Sequence, residues 1–140
     1  MKWRIKENLS ADTYQRLTRI AETITTSEGD VLIIEGDKGR TMFILESGLL
    51  HVSQKNGNNE QQMGIIEPGD VVGELAFIDQ RPRSATVTVR KAGRLLKLDQ
   101  AEVMRALADN PTALADLMQA LATRVTLRLR TRMTEQNAQS

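Results

Sequence analysis

The sequence EPGDVVGELAFIDQRPRSATVTV, residues 67 to 89, is the stretch that decides how this chain folds. In it, Val71 and Val72 lead into Gly73, whose missing side chain allows a close backbone approach. The next residues, ELAF, can begin one or two turns of helix, and SATVTV has the β-branched composition of a strand. The stretch therefore predicts a short helix between two strands.

Short β-rich runs continue outward from this stretch, covering about residues 23–98. The runs are VLIIE, MFILE, LLHVS, GIIE, SATVTV and RLLKL, and the segments between them include EGDKGR, ESG, KNGNN and KAG. Regular turn signals between short strands are typical of an all-β sandwich or barrel. Asn and Gly tolerate positive φ, so KNGNN is predicted to be a hairpin tip. We expect an antiparallel β-roll, similar to a jelly-roll barrel.

Helices are predicted on both sides of the β-roll. Ser10 is a favourable N-cap residue, and apolar residues at helical spacing follow it to about residue 22. Beyond the β-rich region, DQAEVMRALADN predicts a short helix capped by Asp99 and ended by Asn110-Pro111. The expected fold is thus mainly β, with a short N-terminal helix, the short helix at ELAF and two C-terminal helices within residues 99–133.

The last predicted helix has an apolar face and a basic face. Its apolar residues recur every three or four positions: Leu114, Leu117, Met118, Leu121, Val125, Leu127 and Leu129. Its basic residues are Arg124, Arg128, Arg130 and Arg132, with no acidic residue near them in the chain before Glu135. The polar tail EQNAQS is expected to fray.

Composition bounds the class of protein. The chain has 140 residues, a formal net charge of +1, and 40% hydrophobic and 26% charged residues, which predicts one globular domain over residues 1 to 140. It has no cysteine, which excludes disulfides, thiolate metal sites and a cysteine nucleophile. The charged N-terminus lacks the apolar run of a signal peptide, so we expect a cytoplasmic location.

Glu74 and Arg83 are the two side chains with the clearest binding chemistry. A helix that begins after Gly73 exposes unpaired N–H groups suited to a phosphate. The Arg83 guanidinium offers a planar fork to phosphate oxygens, with charge-assisted hydrogen bonds of about 1.5–3 kcal/mol each. The Glu74 carboxylate can accept a hydrogen bond from a sugar hydroxyl. The alternative interpretation is a surface ion pair between the two residues, worth little.

GELA followed by PRSATV resembles the phosphate-binding cassette of cyclic-nucleotide-binding domains, found in catabolite-activator-type receptors, nucleotide-gated channels and cyclic-nucleotide-dependent kinases. Residues Gly73 to Val87 are called the cassette below, and the resemblance extends over about residues 10–133. It implies that Glu74 binds the ribose 2′-hydroxyl, that Arg83 binds the cyclic phosphate, and that Ser84 contacts phosphate or base.

The resemblance implies further contacts and a ligand preference. The additional candidate residues are Val71 or Val72, Gly73, Leu75, Ala76, Ala85 and Thr86. Of these, Leu75 and Ala76 would contribute amides to the phosphate, Gly73 would line the ribose, and the valines with Thr86 would lie near the base. Ser84 is compatible with either purine; we favour cAMP and expect measurable cGMP binding. No cofactor other than this ligand is expected.

In the family that the sequence resembles, the last helix closes over the ligand. Arg124 and Arg128 are therefore candidates to stack on the base by cation–π contact. The alternative is that these arginines form a solvated face. Leu121, Val125 and Leu129 are candidates for a hydrophobic lid or for the seam of a homodimer, and the sequence leaves this choice open.

Other function classes were weighed on the same residues. A metal-dependent jelly-roll enzyme needs two or three histidines, whereas this chain has only His51, and no GxSxG motif is present. We therefore expect neither a metal site nor catalysis. A sensor fragment of a larger transcription regulator or of a nucleotide-gated channel stays open. A regulator would need a helix-turn-helix beyond Ser140, so nucleic-acid binding by this chain is not expected, and the downstream effector is unknown.

Overall fold

A computed structural model of the protein describes the backbone of residues 2–139 and the side chains of residues 2–134. In chain order the elements are a 3-10 helix Ile5–Asn8, α1 Ala11–Ile20, β1 Glu22–Thr25, β2 Val31–Ile33, β3 Thr41–Asn56, β4 Asn59–Ile66, β5 Val71–Val72, α2 Glu74–Asp79, β6 Thr86–Asp99, α3 Gln100–Ala106 and α4 Pro111–Gln139. The predicted class, mainly antiparallel β with flanking helices, is confirmed.

The two long strands β3 and β6 form the centre of one antiparallel sheet. The strand order is β1-β6-β3-β4, while β2 pairs with β6 and β5 pairs with β3. The pairing of β3 with β6 shifts register between Leu45 and Leu50, and such irregularities bend strands and increase their twist. At this bend a Cβ on Gly93 would overlap the backbone of Ser47, so only glycine fits.

The sheet is a roll and does not close into a barrel. Closure would require β1 and β4, at the two ends of the strand order, to pair with each other, and these described strands do not. The barrel component of the prediction is therefore wrong, while the β-roll itself is confirmed. The register shifts between β3 and β6 bend the sheet, and the described pairings include none between β1 and β4 that would close it.

Two apolar cores hold the elements together. One lies inside the roll and contains Phe43, Leu50 and Leu95. The other joins the helices to the sheet and includes Leu17 of α1, Phe77 of α2 and Leu117 of α4 among its members. The side chain of Phe77 is fully buried in this core and holds α2 against the sheet. This contact positions the start of the cassette.

Helix α4 has two parts with different surroundings. In the first, Ala113, Leu117, Ala120 and Leu121 are buried against the rest of the protein. From residue 122 to 134 the side chains are half-buried or exposed. The helical backbone continues to Gln139, beyond the predicted end near residue 133, so the prediction that the tail frays is wrong for residues 135–139, and Ser140 lies outside the described residues.

The predicted helix caps are confirmed, and no spanning helix is found. The Ser10 hydroxyl accepts a hydrogen bond from the Thr13 amide at 3.1 Å, and the Asp99 carboxylate accepts one from the Glu102 amide at 3.3 Å. Within residues 2–139, no helix is both long enough and apolar enough to cross a membrane.

Candidate functional site

A cavity of about 460 Å³ lies between the roll and α4, within the range typical of small-molecule sites. Strand residues form its apolar wall, the start of α2 and residues 83–85 form a polar wall, and the second part of α4 forms a third side. The apolar wall consists of Ile33, Val52, Met63, Ile65, Ile66, Val72 and Val87. The cavity therefore combines apolar surface with a few converging polar groups.

Gly73 makes the turn into α2 and is irreplaceable there for two reasons. Its φ of 82° lies in the left-handed region, and a Cβ would come within 2.7 Å of the Thr41 carbonyl oxygen. No side chain caps α2, so its first amides are not bonded in that way. Leu75 and Ala76, whose amides belong to this first turn, line the cavity as the sequence predicted.

Glu74 is a buried carboxylate on the cavity wall. It is only 4% exposed, and its Oε1 accepts a hydrogen bond from Nη1 of Arg128 on α4. A buried charge is tolerated where it is paired, and Arg128 supplies that pairing. The carboxylate that the sequence assigned to a ribose thus also contacts the last helix.

Arg83 is a buried cation on the opposite side of the cassette. It is 8% exposed, its Nη1 donates to the Thr41 carbonyl at 2.8 Å, and its Nη2 donates to the Thr41 hydroxyl at 2.8 Å. Burial lowers the pKa of Arg83 from its usual value, yet a guanidinium stays protonated in proteins. Arg83 and Glu74 form no ion pair with each other, which excludes the surface-pair interpretation.

Three of the last four residues of the cassette line the cavity. Ser84, Ala85 and Val87 line the cavity, whereas Thr86 is absent from the described lining. The Thr86 hydroxyl instead accepts a hydrogen bond from the Glu35 amide at 3.0 Å. The prediction that Thr86 lies near the base stays a prediction.

Arg124 lies in the lining but is engaged with an acidic side chain. Its Nε and Nη2 donate to the two oxygens of Asp70 at 2.9 and 2.7 Å, a bidentate pair. Its guanidinium also lies over the ring of Trp3, 5.7 Å from the ring centre. The fully solvated face considered for Arg124 is excluded, and its predicted stacking on a base stays a prediction.

Arg128 is bound at three places on the segment that precedes and begins α2. Besides Glu74, it donates from Nη2 to the Val71 carbonyl at 2.6 Å and to Asp70 Oδ1 at 3.3 Å. Burial lowers its pKa, and the nearby Arg132 adds to this, while Asp70 opposes it. The guanidinium that is a candidate for base stacking therefore donates three hydrogen bonds to the protein in this conformation.

Sequence reasoning missed Asp70 and Thr41. Asp70 was read only as part of the turn EPGD, although an acidic residue that ends a turn beside the cassette is a signal for a basic partner. Thr41 follows a Gly-containing loop and carries no motif of its own. Of the two valines that the sequence offered as alternatives, Val72 lines the cavity, whereas Val71 lies in the helix-side core.

Among the described side chains, no group of three His, Cys, Asp or Glu could hold a metal ion.

A family model described as the cyclic nucleotide-binding domain matches residues 23–110. The chain belongs to the cyclic nucleotide-binding domain family. The match covers the whole roll, the cassette and α3, so the resemblance in the sequence is confirmed. The roll with flanking helices is the fold of this family.

Individual cyclic nucleotide-binding proteins agree with this assignment. The chain is 31% identical over 113 residues to a cAMP-dependent protein kinase regulatory subunit from Blastocladiella emersonii, covering 79% of this chain and 27% of that protein. It is similar to the regulatory domain of Toxoplasma gondii PKA crystallised with cAMP, with 29% identity, a TM-score of 0.66, and 73% and 39% of the two chains covered.

The fold is also that of a cyclic nucleotide-binding domain from Methylobacillus flagellatus, with a TM-score of 0.85, 20% identity, and 94% and 74% of the two chains covered. The present chain spans about a quarter of the length of the curated relative that it matches.

Proposed function

We propose that this domain is a cytoplasmic receptor that binds cAMP in preference to cGMP and passes the signal on through α4. The observation that carries the proposal is the composition of one cavity. Its walls hold a buried carboxylate, Glu74, a buried guanidinium, Arg83, and the second part of α4. A ligand with a hydroxyl and an anionic phosphate would engage both charged groups beneath a helix.

The ribose and phosphate roles follow from the chemistry of the two charged side chains. Oε2 of Glu74 accepts no hydrogen bond among the described residues and is available to a ribose 2′-hydroxyl. Arg83, together with the amides of Leu75 and Ala76, would hold the phosphate. Each charge-assisted hydrogen bond would contribute about 1.5–3 kcal/mol where water is excluded.

The purine would lie against the apolar wall. Val52, Met63 and Val87 approach from the roll, and Val125 and Leu129 approach from α4. These contacts favour a flat apolar ring without choosing between adenine and guanine. Ser84 is compatible with either purine, so the preference for cAMP rests on the two relatives whose names include cAMP or its kinase.

Signal transmission would involve only the second part of α4. The first part buries Leu117 and Leu121, and each fully buried leucine contributes about 1.5–3 kcal/mol to holding it in place. The second part is held by the polar contacts of Arg124 and Arg128, which a ligand at Glu74 would change. The mechanism is a population shift, in which the ligand favours the α4 position that binds it more tightly.

Calorimetric titration with cAMP and with cGMP tests the proposal. We expect the wild-type protein to bind both, with cAMP tighter, and Arg83→Ala to weaken cAMP at least tenfold. Arg81→Ala is the matched control, because Arg81 is exposed and lies two residues away. Absence of heat with both nucleotides would refute the receptor function.

The proposal extends to the surroundings of the domain. Because the chain spans 27% of its relative, we propose that the domain serves as the sensor of a larger signalling protein, such as a transcription regulator or a channel, rather than as an enzyme.

A homodimer through α4 is a separate part of the proposal. It is supported by three exposed apolar residues of that helix, Leu127, Leu129 and Met133. Sedimentation equilibrium of wild type and of Leu129→Glu would test this, and identical monomers would contradict it.

A further inference from the structure

Arg83 is held from several directions by the loop that precedes β3 and by Thr41, the first residue of β3. Its backbone amide donates to the Asp37 carbonyl at 2.8 Å, and its own carbonyl accepts from the Gly36 amide at 2.9 Å. Its side chain then donates to both oxygens of Thr41. The main chain fixes where Arg83 starts, and Thr41 fixes how the guanidinium plane is turned.

The donors of Arg83 are unevenly occupied. Nη1 donates to the Thr41 carbonyl and, at 3.5 Å, to the Gly73 carbonyl, while Nη2 donates once, to the Thr41 hydroxyl. Nε donates to no group among the described residues. A guanidinium has five N–H groups, so one on Nε and one on Nη2 remain for a ligand. Together they form one edge of the planar fork.

Gly39 lies directly against this edge. A Cβ at residue 39 would lie 2.8 Å from Nη2 and 3.0 Å from Nε of Arg83. The φ of Gly39 is outside the left-handed region, so its backbone would accept an alanine. The need for glycine at this position therefore arises from the Arg83 guanidinium and not from the turn.

We infer that Thr41 and Gly39 are positioning residues of the phosphate subsite. Thr41 turns the guanidinium through two hydrogen bonds, and Gly39 leaves the space that the guanidinium needs in this orientation. This inference rests on the proposed cyclic-nucleotide site. It adds that the affinity and stereochemistry of phosphate binding depend on residues outside the cassette, in the loop before β3 and at the start of β3.

Three variants distinguish a changed orientation of the Arg83 guanidinium from a general loss of stability. Thr41→Val removes the hydroxyl but keeps the shape, Thr41→Ser restores the hydroxyl, and Thr25→Val is the matched control on an exposed strand position. The titrants are cAMP and its Sp and Rp phosphorothioate diastereomers, which differ in which exocyclic oxygen is replaced by sulfur. We expect Thr41→Val to weaken cAMP about five- to tenfold and to change the Sp/Rp affinity ratio, and Thr41→Ser to restore both.

Gly39→Ala tests whether the Arg83 guanidinium needs the space beside Gly39, which a Cβ would fill. Because the obstacle is the end of a flexible side chain, we expect a thermal midpoint within a few degrees of wild type and cAMP affinity reduced at least tenfold. Wild-type affinity in Gly39→Ala would overturn the role of Gly39. Unchanged affinity and an unchanged Sp/Rp ratio in Thr41→Val would overturn the role of Thr41.

A measurement without ligand keeps this inference distinct from the proposed function. The Arg83 Nε–H resonance of the ligand-free protein, assigned by its loss in Arg83→Lys, reports on the guanidinium directly. We expect it to shift or broaden in Thr41→Val and Gly39→Ala but not in Thr25→Val. If wild type bound no cyclic nucleotide, the proposed function would fail, whereas an unchanged resonance in both variants would refute the positioning itself.

Discussion

Arg128 of α4 donates a hydrogen bond to the carboxylate of Glu74, the first residue of α2, across 54 positions of sequence. Glu74 is also the residue proposed to bind the ribose. A ligand hydroxyl could use the second oxygen of Glu74 and leave Arg128 in place, or it could displace Arg128. In either case occupancy of the cavity and the position of α4 depend on the same carboxylate, which is a direct physical link between them.

The first prediction concerns the strength of this link. We expect Arg128→Ala to lower the free energy of unfolding by about 1–3 kcal/mol, because it leaves Glu74 buried without its charged partner. In a Glu74→Gln background the loss should be smaller, which gives a coupling of at least about 0.5 kcal/mol in a double-mutant cycle. Urea denaturation gives the free energy of unfolding of wild type, of the two single variants and of the double variant.

The control is Arg130→Ala, on an exposed part of α4, which should change the free energy of unfolding by no more than about 0.5 kcal/mol. Additive effects would contradict the link.

The second prediction concerns hydrogen exchange with and without cAMP. We expect protection to change in residues 122–134 and to stay constant in residues 111–121, because the first part of α4 is anchored by buried apolar residues. Increased protection would indicate that ribose and Arg128 share Glu74, and decreased protection would indicate displacement. Unchanged exchange throughout α4 would exclude it as the output element.

The third prediction concerns base selection at Ser84. We expect Ser84→Ala to change cAMP affinity by less than about threefold and to weaken cGMP about five- to tenfold, since a lost hydrogen bond contributes about 1 kcal/mol. Ser84→Thr should retain cGMP binding, because it keeps the hydroxyl. Competition titrations with both nucleotides measure the ratio. Equal losses for cAMP and cGMP in Ser84→Ala would instead assign the hydroxyl to the phosphate.

The fourth prediction concerns pH and the anchor of α4 on α1. The Ser10 amide donates to Asp116 at 2.9 Å, and this hydrogen bond holds the pKa of Asp116 below its usual value. A carboxyl with a lowered folded-state pKa stabilises the protein above its ordinary pKa, and this stability is lost as the pH falls through the folded value. Asp116→Asn should therefore be less stable at pH 7, by less than about 1 kcal/mol because the site is exposed, and should match wild type near pH 3. A gap that persists at low pH would contradict this origin.

Local patterns in the sequence predicted the fold class and the cassette well. The β-rich runs, the caps at Ser10 and Asp99 and the cassette helix all depend on residues close together in the chain, so a single sequence carries enough information. The sequence failed at barrel closure, and it did not indicate which residues at the start of β6 line the cavity. Closure depends on register between distant strands, and which residues of a strand face inward depends on where its pairing begins.

By itself, the sequence determined that Glu74 and Arg83 belong to one binding cassette, because their types and spacing, with Gly73, are properties of one short segment. Only the tertiary structure decided their partners. Arg128 contacts Glu74 from α4, and Thr41 contacts Arg83 from β3. These distant residues meet because α2, through Phe77, and α4, through Leu117, pack into the same apolar core. Contacts between side chains far apart in the chain follow from how helices and strands pack, and no local pattern encodes them.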